Sequence, residues 1–426
     1  MKKILSFLGT GNYSPVVYEW SDSSKESKQV KTHLFPYALA QYFSDYRVII
    51  FVTQKAKEAG KKDQEPYLQQ LEEKLKERLI PVTIPEGRNP EELWQIFNIL
   101  VENVSQEDEI ILDITHAFRS IPMFSLVASS FLRQVKRAQI KHILYGAYEA
   151  REKRDGQEIA PVFDLSLILD LMDWISATDF FLSRGDAKNL AYILRRTHSN
   201  LWKKKHSLSA SNLPKLLSKV GKNLESFSLA LWLAQPCEVM KSAKKLEKVL
   251  SQAKNEFEEW ALPFATILGE LQDQVSKLAS QQPDYLNEDN LCVQKEIISY
   301  LIDKGLYMQA VSMAREWVIS WIIFKSGQND LINRWKNREA REEIARMLGK
   351  TAILKRRKDQ SRGEKDNNIP EWFKPLEKKF DLGKLWNWLA NLRNEIDHCG
   401  MREHSQDLNS LKNQVEEISN KIKDLT

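Results

Sequence analysis

Cysteine is scarce in this chain, three residues in 426, and Cys237, Cys292 and Cys399 lie far apart with no C-x-x-C pair. Neither a disulfide framework nor a cysteine zinc site is supported, and no metal ligand set is expected. Long hydrophobic runs are missing too, since nothing approaches the roughly 20 apolar residues that a membrane-spanning helix needs. The start, Met1 to Gly9, reads as a strand rather than a signal peptide, so the expectation is a cytoplasmic protein with no membrane partner. Net charge is only +5, which permits an anionic partner without requiring one, and any claim for nucleic acid must rest on local sites. The full G-x-G-x-x-G fingerprint with its later ribose-binding acid is also lacking, which argues against a nicotinamide enzyme.

What is present is a globular balance, 42% hydrophobic and 28% charged residues, in a chain long enough for two or three domains. The first 170 residues or so alternate short β-branched runs with amphipathic stretches, the pattern of a largely parallel, Rossmann-like α/β sheet. Strands are expected at residues 3–8, 16–20, 47–53, 81–84, 109–114 and 141–148, and helices at 33–43, 64–78, 91–104 and 123–135. After Leu165 long charged-apolar periods take over, so the remainder is read as all-α. The expected domains are a sensor at 1–170, a helical connector at 171–285 with its softer boundary near Gln281 to Asp284, and a helical bundle at 286–426. A helix at 308–324 carries Ala310, Ala314, Trp317, Val318, Trp321 and Ile322 on a broad apolar face, which marks bundle core rather than chemistry. Residues 355–370, polar and containing Gly363, are expected to form a mobile loop. Cys399 is read as a half-buried, inert thiol.

Two motifs carry chemistry. Gly9, Thr10, Gly11 and Asn12 follow the first strand, where small residues let backbone N–H groups approach an anion, although the pattern also fits a plain turn. Asp113 and Thr115 end a later strand, His116 and Ala117 turn the chain, and Ser120 with Pro122 supplies the cap and first turn of a helix. That helix start, with Arg119 beside it, offers several donors to phosphate. Both loops follow parallel strands and should emerge on the carboxyl edge of the sheet, where open α/β folds bind ligands. Asp113 is expected to order the loop more than to touch an anion, and His116 has a structural reading as a turn histidine beside its binding one.

Near the other end, Leu385, Leu389, Leu392 and Ile396 set an apolar stripe on a helix ending near Gly400. At about 100° per residue, Asn394 and His398 fall on the opposite face, toward solvent or a partner. Arg393 lies about 140° round the helix from His398, so one straight helix does not converge them on one phosphate. Two copies about a twofold axis would, which makes a composite active site in a homodimer the expectation, with assembly beyond the dimer left open. The chemistry of such a pair is attack of an RNA 2′-hydroxyl on its neighbouring phosphate, with His398 moving the proton and Arg393 stabilising the phosphoryl oxygens, on flexible single-stranded RNA and without a metal. The bland reading of both residues is charge complementing a helix carboxyl terminus.

Asp113-Ile114-Thr115-His116 with Phe118-Arg119-Ser120 resembles the D-x-T-H-G-F-R-S segment of CRISPR-associated Rossmann-fold (CARF) sensor domains, as does the opening Gly9-Thr10-Gly11-Asn12 with Val17-Tyr18-Glu19-Trp20. Ala117 stands where that family carries glycine, which bears on ligand fit. Arg393-Asn394 and His398 resemble the R-N-x-x-x-H motif of HEPN ribonuclease domains, and Gln309-Ala310 with Arg315-Glu316-Trp317 resembles the helix preceding it. The whole is similar to the Csx/Csm-type accessory ribonucleases of type III CRISPR systems. The resemblance implies a CARF domain followed by an all-α region ending in a HEPN bundle. It also implies a cyclic oligoadenylate activator, cyclic tetra-adenylate by preference, held across a dimer by Gly9, Thr10, Gly11, Asn12, Asp113, Thr115, His116, Ala117 and Arg119. Arg393 and His398 then correspond to the catalytic pair and Asn394 to the residue that positions them, in an antiviral endoribonuclease. Basic runs at Lys203-Lys204-Lys205 and Lys355-Arg356-Arg357-Lys358 would guide RNA or simply be solvated. The alternatives are a cyclic-oligonucleotide-binding regulator whose helical half binds nucleic acid or protein without cutting, and a sensor that opens its own ligand ring with His116 or Thr10.

Overall fold

The computed structural model describes residues 1–21, 27–61, 64–116, 120–203, 213–358, 369–399, 401, 406–423 and 425, with the side chains of 120–122 and 355–358 outside the description. The chain divides into two compact units, Met1–Met172 and Asp173–Thr426.

The first unit is built around a nine-stranded mixed sheet. Its centre is β1 (Lys2–Leu8), whose sequence KKILSFL is buried from Lys3 onward. It pairs in parallel with β4 (Arg47–Val52) on one side and β6 (Glu109–Asp113) on the other. Outside β4 lies β5 (Leu79–Thr83), and outside β6 lies β7 (Gln139–Gly146), both parallel. Beyond β7 runs β9 (Gln157–Asp164), antiparallel to it. β9 also pairs in parallel with β2 (Val16–Ser21), whose far edge takes β3 (Ser27–Thr32) antiparallel. A short β8 (Glu152–Arg154) folds onto β9 through Asp155 and Gly156, both at positive φ, as a two-residue hairpin requires.

Strand periodicity sorts the central side chains into two cores. Ile4, Leu8, Val48, Ile50 and Val52 face helices Phe35–Tyr42 and Tyr67–Leu75. Leu5, Phe7, Ile49 and Phe51 face the opposite way, with Ile96 and Leu100 of helix Pro90–Glu102 and Ala128 and Leu132 of helix Ser120–Val135. Because β4 and β5 lie to one side of β1 while β6 and β7 lie to the other, the strand order reverses between β1 and β6. A crevice forms there at the carboxyl ends of the strands.

The second unit is helical throughout its described residues and has one continuous core running from Trp174 to Leu425. At its heart is helix Tyr307–Lys325, buried on nearly all sides, with Trp317 and Trp321 among the most deeply buried large side chains. Helices Glu288–Asp303, Leu382–Asp397 and Leu408–Lys423 pack round it. The Trp317 indole N–H donates to the Leu291 carbonyl at 2.8 Å, so its one polar atom is satisfied in the core. Gly383 brings helix Leu382–Asp397 against helix Arg338–Lys358, where a Cβ would sit 3.1 Å from the Ala352 nitrogen.

The α/β-then-all-α class is the one the sequence predicts, and the six expected strands form within about two residues of their expected ends. Three strands were missed, β3, β8 and β9, and with them the antiparallel flank of the sheet. Residues 355–358 continue helix Arg338–Lys358 instead of opening a loop, while 359–368, Gly363 included, lie outside the described residues. Among the described residues no helix is long and apolar enough to cross a membrane.

Candidate functional site

The crevice between β1 and β6 opens into a cavity of about 440 Å³. Gly9, Thr10, Gly11, Asn12, Tyr13 and Ser14 line one wall, and Thr115, His116, Gly146, Tyr148 and Glu149 another. The two loops meet so closely that a Cβ on Gly9 would lie 2.6 Å from the His116 carbonyl oxygen. Glycine at position 9 is thus required for loop approach. Its N–H does not point at empty space: it donates to the Tyr13 hydroxyl at 3.2 Å, which corrects the picture of that group as a free anion donor. Gly146, at the end of β7, is equally constrained, with a Cβ there 2.7 Å from the Phe35 ring and 2.9 Å from Tyr18.

Asp113 sits behind this wall rather than on it. Fully buried, it accepts from the Ser6 hydroxyl at 2.6 Å and from the Thr115 N–H at 2.8 Å. Burial raises its carboxyl to about 6, against the pull of those two donors. Thr115 carries the order onward, its hydroxyl accepting from the Gly146 N–H at 2.9 Å and tying the end of β6 to that of β7. Asp113 therefore positions the loop and is set back from any ligand in the cavity.

His116 packs on Tyr13, ring centroids 4.1 Å apart, and its Nε2 accepts from the Phe35 N–H at 3.3 Å. An accepting Nε2 means a neutral ring with the proton on Nδ1, and burial agrees by lowering the imidazole to about 3. His116 thus ties the loop to the first turn of helix Phe35–Tyr42. Tyr13 is held in turn by Tyr67, whose hydroxyl accepts the Tyr13 N–H at 3.3 Å, and burial pushes the Tyr13 phenol up to about 12. Glu149, accepting from the Tyr145 hydroxyl at 2.9 Å, is the one charged side chain among the described lining residues. Ala117 and Arg119, which the sequence adds to this loop, lie outside the described residues, as do Phe118 and the side chains of Ser120 and Pro122. Tyr13, Tyr18, His33, Gly146, Tyr148 and Glu149 were not foreseen. Only the glycine ending an apolar strand offered a signal.

In the second unit Arg393 and Asn394 lie in the last turn of helix Leu382–Asp397, half-buried, and His398 caps its end, exposed. The helix stops three residues before Gly400 because the chain turns at His398, with Cys399 at φ 54 and the Met401 N–H closing onto the His398 carbonyl at 2.9 Å. Cys399 is exposed, not half-buried as expected from sequence. Arg393 is engaged along its own helix, Nη1 to Asp397 at 2.9 Å, while its Nε is buried without a partner. The apolar stripe falls as expected, with Leu389 and Leu392 buried. Lys204 and Lys205 lie outside the described residues, as do the side chains of Lys355, Arg356, Arg357 and Lys358. Among the described residues no group of three or more His, Cys, Asp or Glu is disposed to hold a metal ion.

Residues 3–149 match the model of the CARF domain of the CRISPR system endoribonuclease Csx1. Residues 170–284 match the second domain of the CRISPR-associated protein MJ1674. The chain is 33% identical over 126 residues to CRISPR-associated protein MJ1674 of Methanocaldococcus jannaschii, a match that spans 29% of this chain and 19% of that protein. Its structure is similar to Enterococcus italicus Csm6 bound to cyclic hexa-2′-fluoro-hexa-dAMP, with 9% identity, TM-score 0.41, and coverage of 100% of this chain and 93% of the other. The Arg393 to His398 segment lies beyond both matched family models.

Proposed function

We propose that this protein is a cyclic oligoadenylate-activated endoribonuclease of type III CRISPR defence. The observation that carries the reading is the pairing of a CARF-matching unit, whose glycine-lined cavity lies at the strand-order reversal, with an R-N-x-x-x-H sequence at an exposed helix end of a separate helical unit. Cyclic tetra-adenylate occupies the cavity, with phosphates against residues 9–12 and the segment from Thr115 to Arg119. Arg393 stabilises the phosphoryl oxygens, His398 moves the proton of the attacking 2′-hydroxyl, and Asn394 positions the pair. The domain reading that goes with it is a sensor at 1–170, a connector at 171–285 and a HEPN bundle at 286–426.

The working form is a homodimer. Helix Ser120–Val135 exposes Met123, Val127, Phe131 and Val135, spaced by four on one face, beside the exposed Trp94. An apolar stripe of that kind on a soluble unit marks a surface for a partner, and a second copy supplies both a closed cavity and a second Arg393 and His398. The activator acts by binding the active arrangement more tightly than the resting one.

One observation favours the regulator alternative: Arg393 is already tied to Asp397. Incubating the purified full chain with labelled single-stranded RNA in EDTA, with and without cyclic tetra-adenylate, separates the two readings. Ligand-dependent cleavage of RNA with the matching DNA left intact is expected. RNA that stays whole at every ligand concentration would establish the regulator instead.

A further inference from the structure

The helix that packs beside Arg393 carries a second guanidinium, and the surroundings of that group are unusual. Arg315, on helix Tyr307–Lys325, is half-buried with its guanidinium carbon 4.6 Å from the centre of the Trp386 ring. Trp386 and Arg393 are seven residues apart on helix Leu382–Asp397 and so share a face of it. Arg315 is therefore held over the same stripe from which Arg393 projects.

The charges there do not balance. Asp397 is bonded to Arg393 at 2.9 Å. Glu316 is bonded to Arg341 through both Nε, at 2.9 Å, and Nη2, at 2.6 Å. Among the described residues Arg315 makes no ion pair, so three guanidiniums share two carboxylates. The Arg315 pKa is drawn down from the ordinary guanidinium value, first by burial and then by the neighbouring Arg393 cation. In addition, Nε of Arg315 and Nε of Arg393 are both buried with no hydrogen-bond partner. A buried, unpaired N–H is costly, so two of them on adjacent like charges mark a pair of cations that the fold leaves under-compensated.

Helix-dipole complementation explains a cation in the last turn of Leu382–Asp397, but Arg315 lies in mid-helix on a different element, where the dipole gives it nothing. Nor is it an aromatic packing residue alone, since a methionine would fill the same space without stranding an N–H. A planar guanidinium carries its N–H groups in a fork, the geometry that matches two oxygens of a phosphate.

We propose that Arg315 and Arg393 together form a phosphodiester-binding subsite, in which the two guanidiniums grip a single RNA phosphate from adjacent helices of one subunit. The subsite rests on the ribonuclease reading of this helix end and extends it. Arg315 contributes grip on the substrate, while His398 remains the proton-transfer group. It also eases the difficulty that Arg393 and His398 do not converge from one helix, because the phosphate is fixed by two arginines before the imidazole is brought to it. Binding supplies the negative charge that the cluster lacks.

The test uses the full chain carrying His398→Ala, so that RNA is bound and not consumed. Affinity for a labelled single-stranded RNA is measured across salt concentrations, with and without Arg315→Gln. The expected result is a five- to twenty-fold weaker Kd and a salt slope reduced by about one phosphate contact. Arg315→Lys, which keeps charge and loses the fork, should recover the slope but only part of the affinity. A readout independent of any variant is the Nε–H resonances of Arg315 and Arg393 in the wild-type chain during titration with inorganic phosphate. Both should move together, and resonances that stay fixed up to tens of millimolar phosphate overturn the subsite. Unchanged Kd and slope in Arg315→Gln overturn it as well, while the loss of cleavage in His398→Ala leaves the ribonuclease reading standing. If His398→Ala still cuts RNA at the wild-type rate, it is the ribonuclease reading that fails, whatever Arg315 does to binding.

Discussion

The two units of this protein each place a histidine beside an anion-binding candidate, and they treat it in opposite ways. His116 is packed on Tyr13, accepts from the Phe35 N–H and is kept neutral by burial, with its imidazole lowered to about 3. His398 ends a helix in the open, exposed, with its backbone engaged in the turn. The first is a structural strut in a cavity of backbone and tyrosine. The second stands exposed at the end of a helix. The same side chain is thus a fixed strut where it is enclosed, and under the proposed function the exposed one is the ring assigned to proton transfer.

The sharpest way to break this contrast is at the exposed ring. His398→Ala should lower ligand-stimulated RNA cleavage by about 10²–10⁴-fold and leave binding of cyclic tetra-adenylate, followed by calorimetry, within error of wild type. Cleavage surviving at a tenth of the wild-type rate would remove His398 from proton transfer.

A smaller effect is expected in the enclosed site. Gly9→Val sets side-chain atoms against the His116 carbonyl, where even a Cβ has only 2.6 Å. Affinity for cyclic tetra-adenylate should fall by about tenfold, the equivalent of ~1.4 kcal/mol of loop displacement. Undiminished affinity would show that the two loops can part without cost and that their close approach is not what shapes the cavity.

The smallest expected effect concerns pH and stability. Burial raises Asp113 from 3.8 to about 6, so the folded chain holds that proton longer than the unfolded one, and the contribution of Asp113 to stability declines as pH rises from about 4 to 6. His116 runs the other way. Lowered from 6.5 to about 3, it stabilises fully above about pH 6.5, and that stability drains as pH falls toward 3. Between about pH 4 and 6 the two oppose each other. Asp113→Asn, which keeps an oxygen for the Thr115 N–H, removes one side of the balance, so stability should climb more steeply with pH across that window, by on the order of 1 kcal/mol. Urea unfolding at pH 4, 5 and 6 measures it, and curves parallel to wild type would show that the Asp113 proton is not set by burial.

The alternation of β-branched runs with amphipathic stretches made the central strands legible, because a strand buried on both faces leaves a compact apolar run such as Ile4 to Leu8. The antiparallel flank was not legible in the same way. β3 is written SKQVKT and lies exposed along most of its length, so it has no apolar pattern to detect. β8 and β9 could have been found from Asp155-Gly156, the strongest hairpin signal in the chain, which was overlooked. The candidate site divides along the same line. Its glycines and the Asp113 to His116 segment stood out as motifs, whereas the tyrosines lining the cavity come from the loop before β2, from β2 and β7, and from the turn after β7, and have no spacing that announces them.

What the sequence determined by itself is the order of elements, the two-part composition and the residue types able to do chemistry, since these follow from local periodicity and side-chain identity. The tertiary structure decided which of those residues have spare hydrogen-bonding capacity. Asp113 and the His116 Nε2 are used up by partners from another strand and a helix, and the Gly9 N–H by Tyr13 of its own loop, while Arg315 and Arg393 are each left with an unanswered Nε. The physical reason is that satisfaction of a polar group depends on what packs against it from far along the chain, and residues 78 apart, like Arg315 and Arg393, become neighbours only when their helices do.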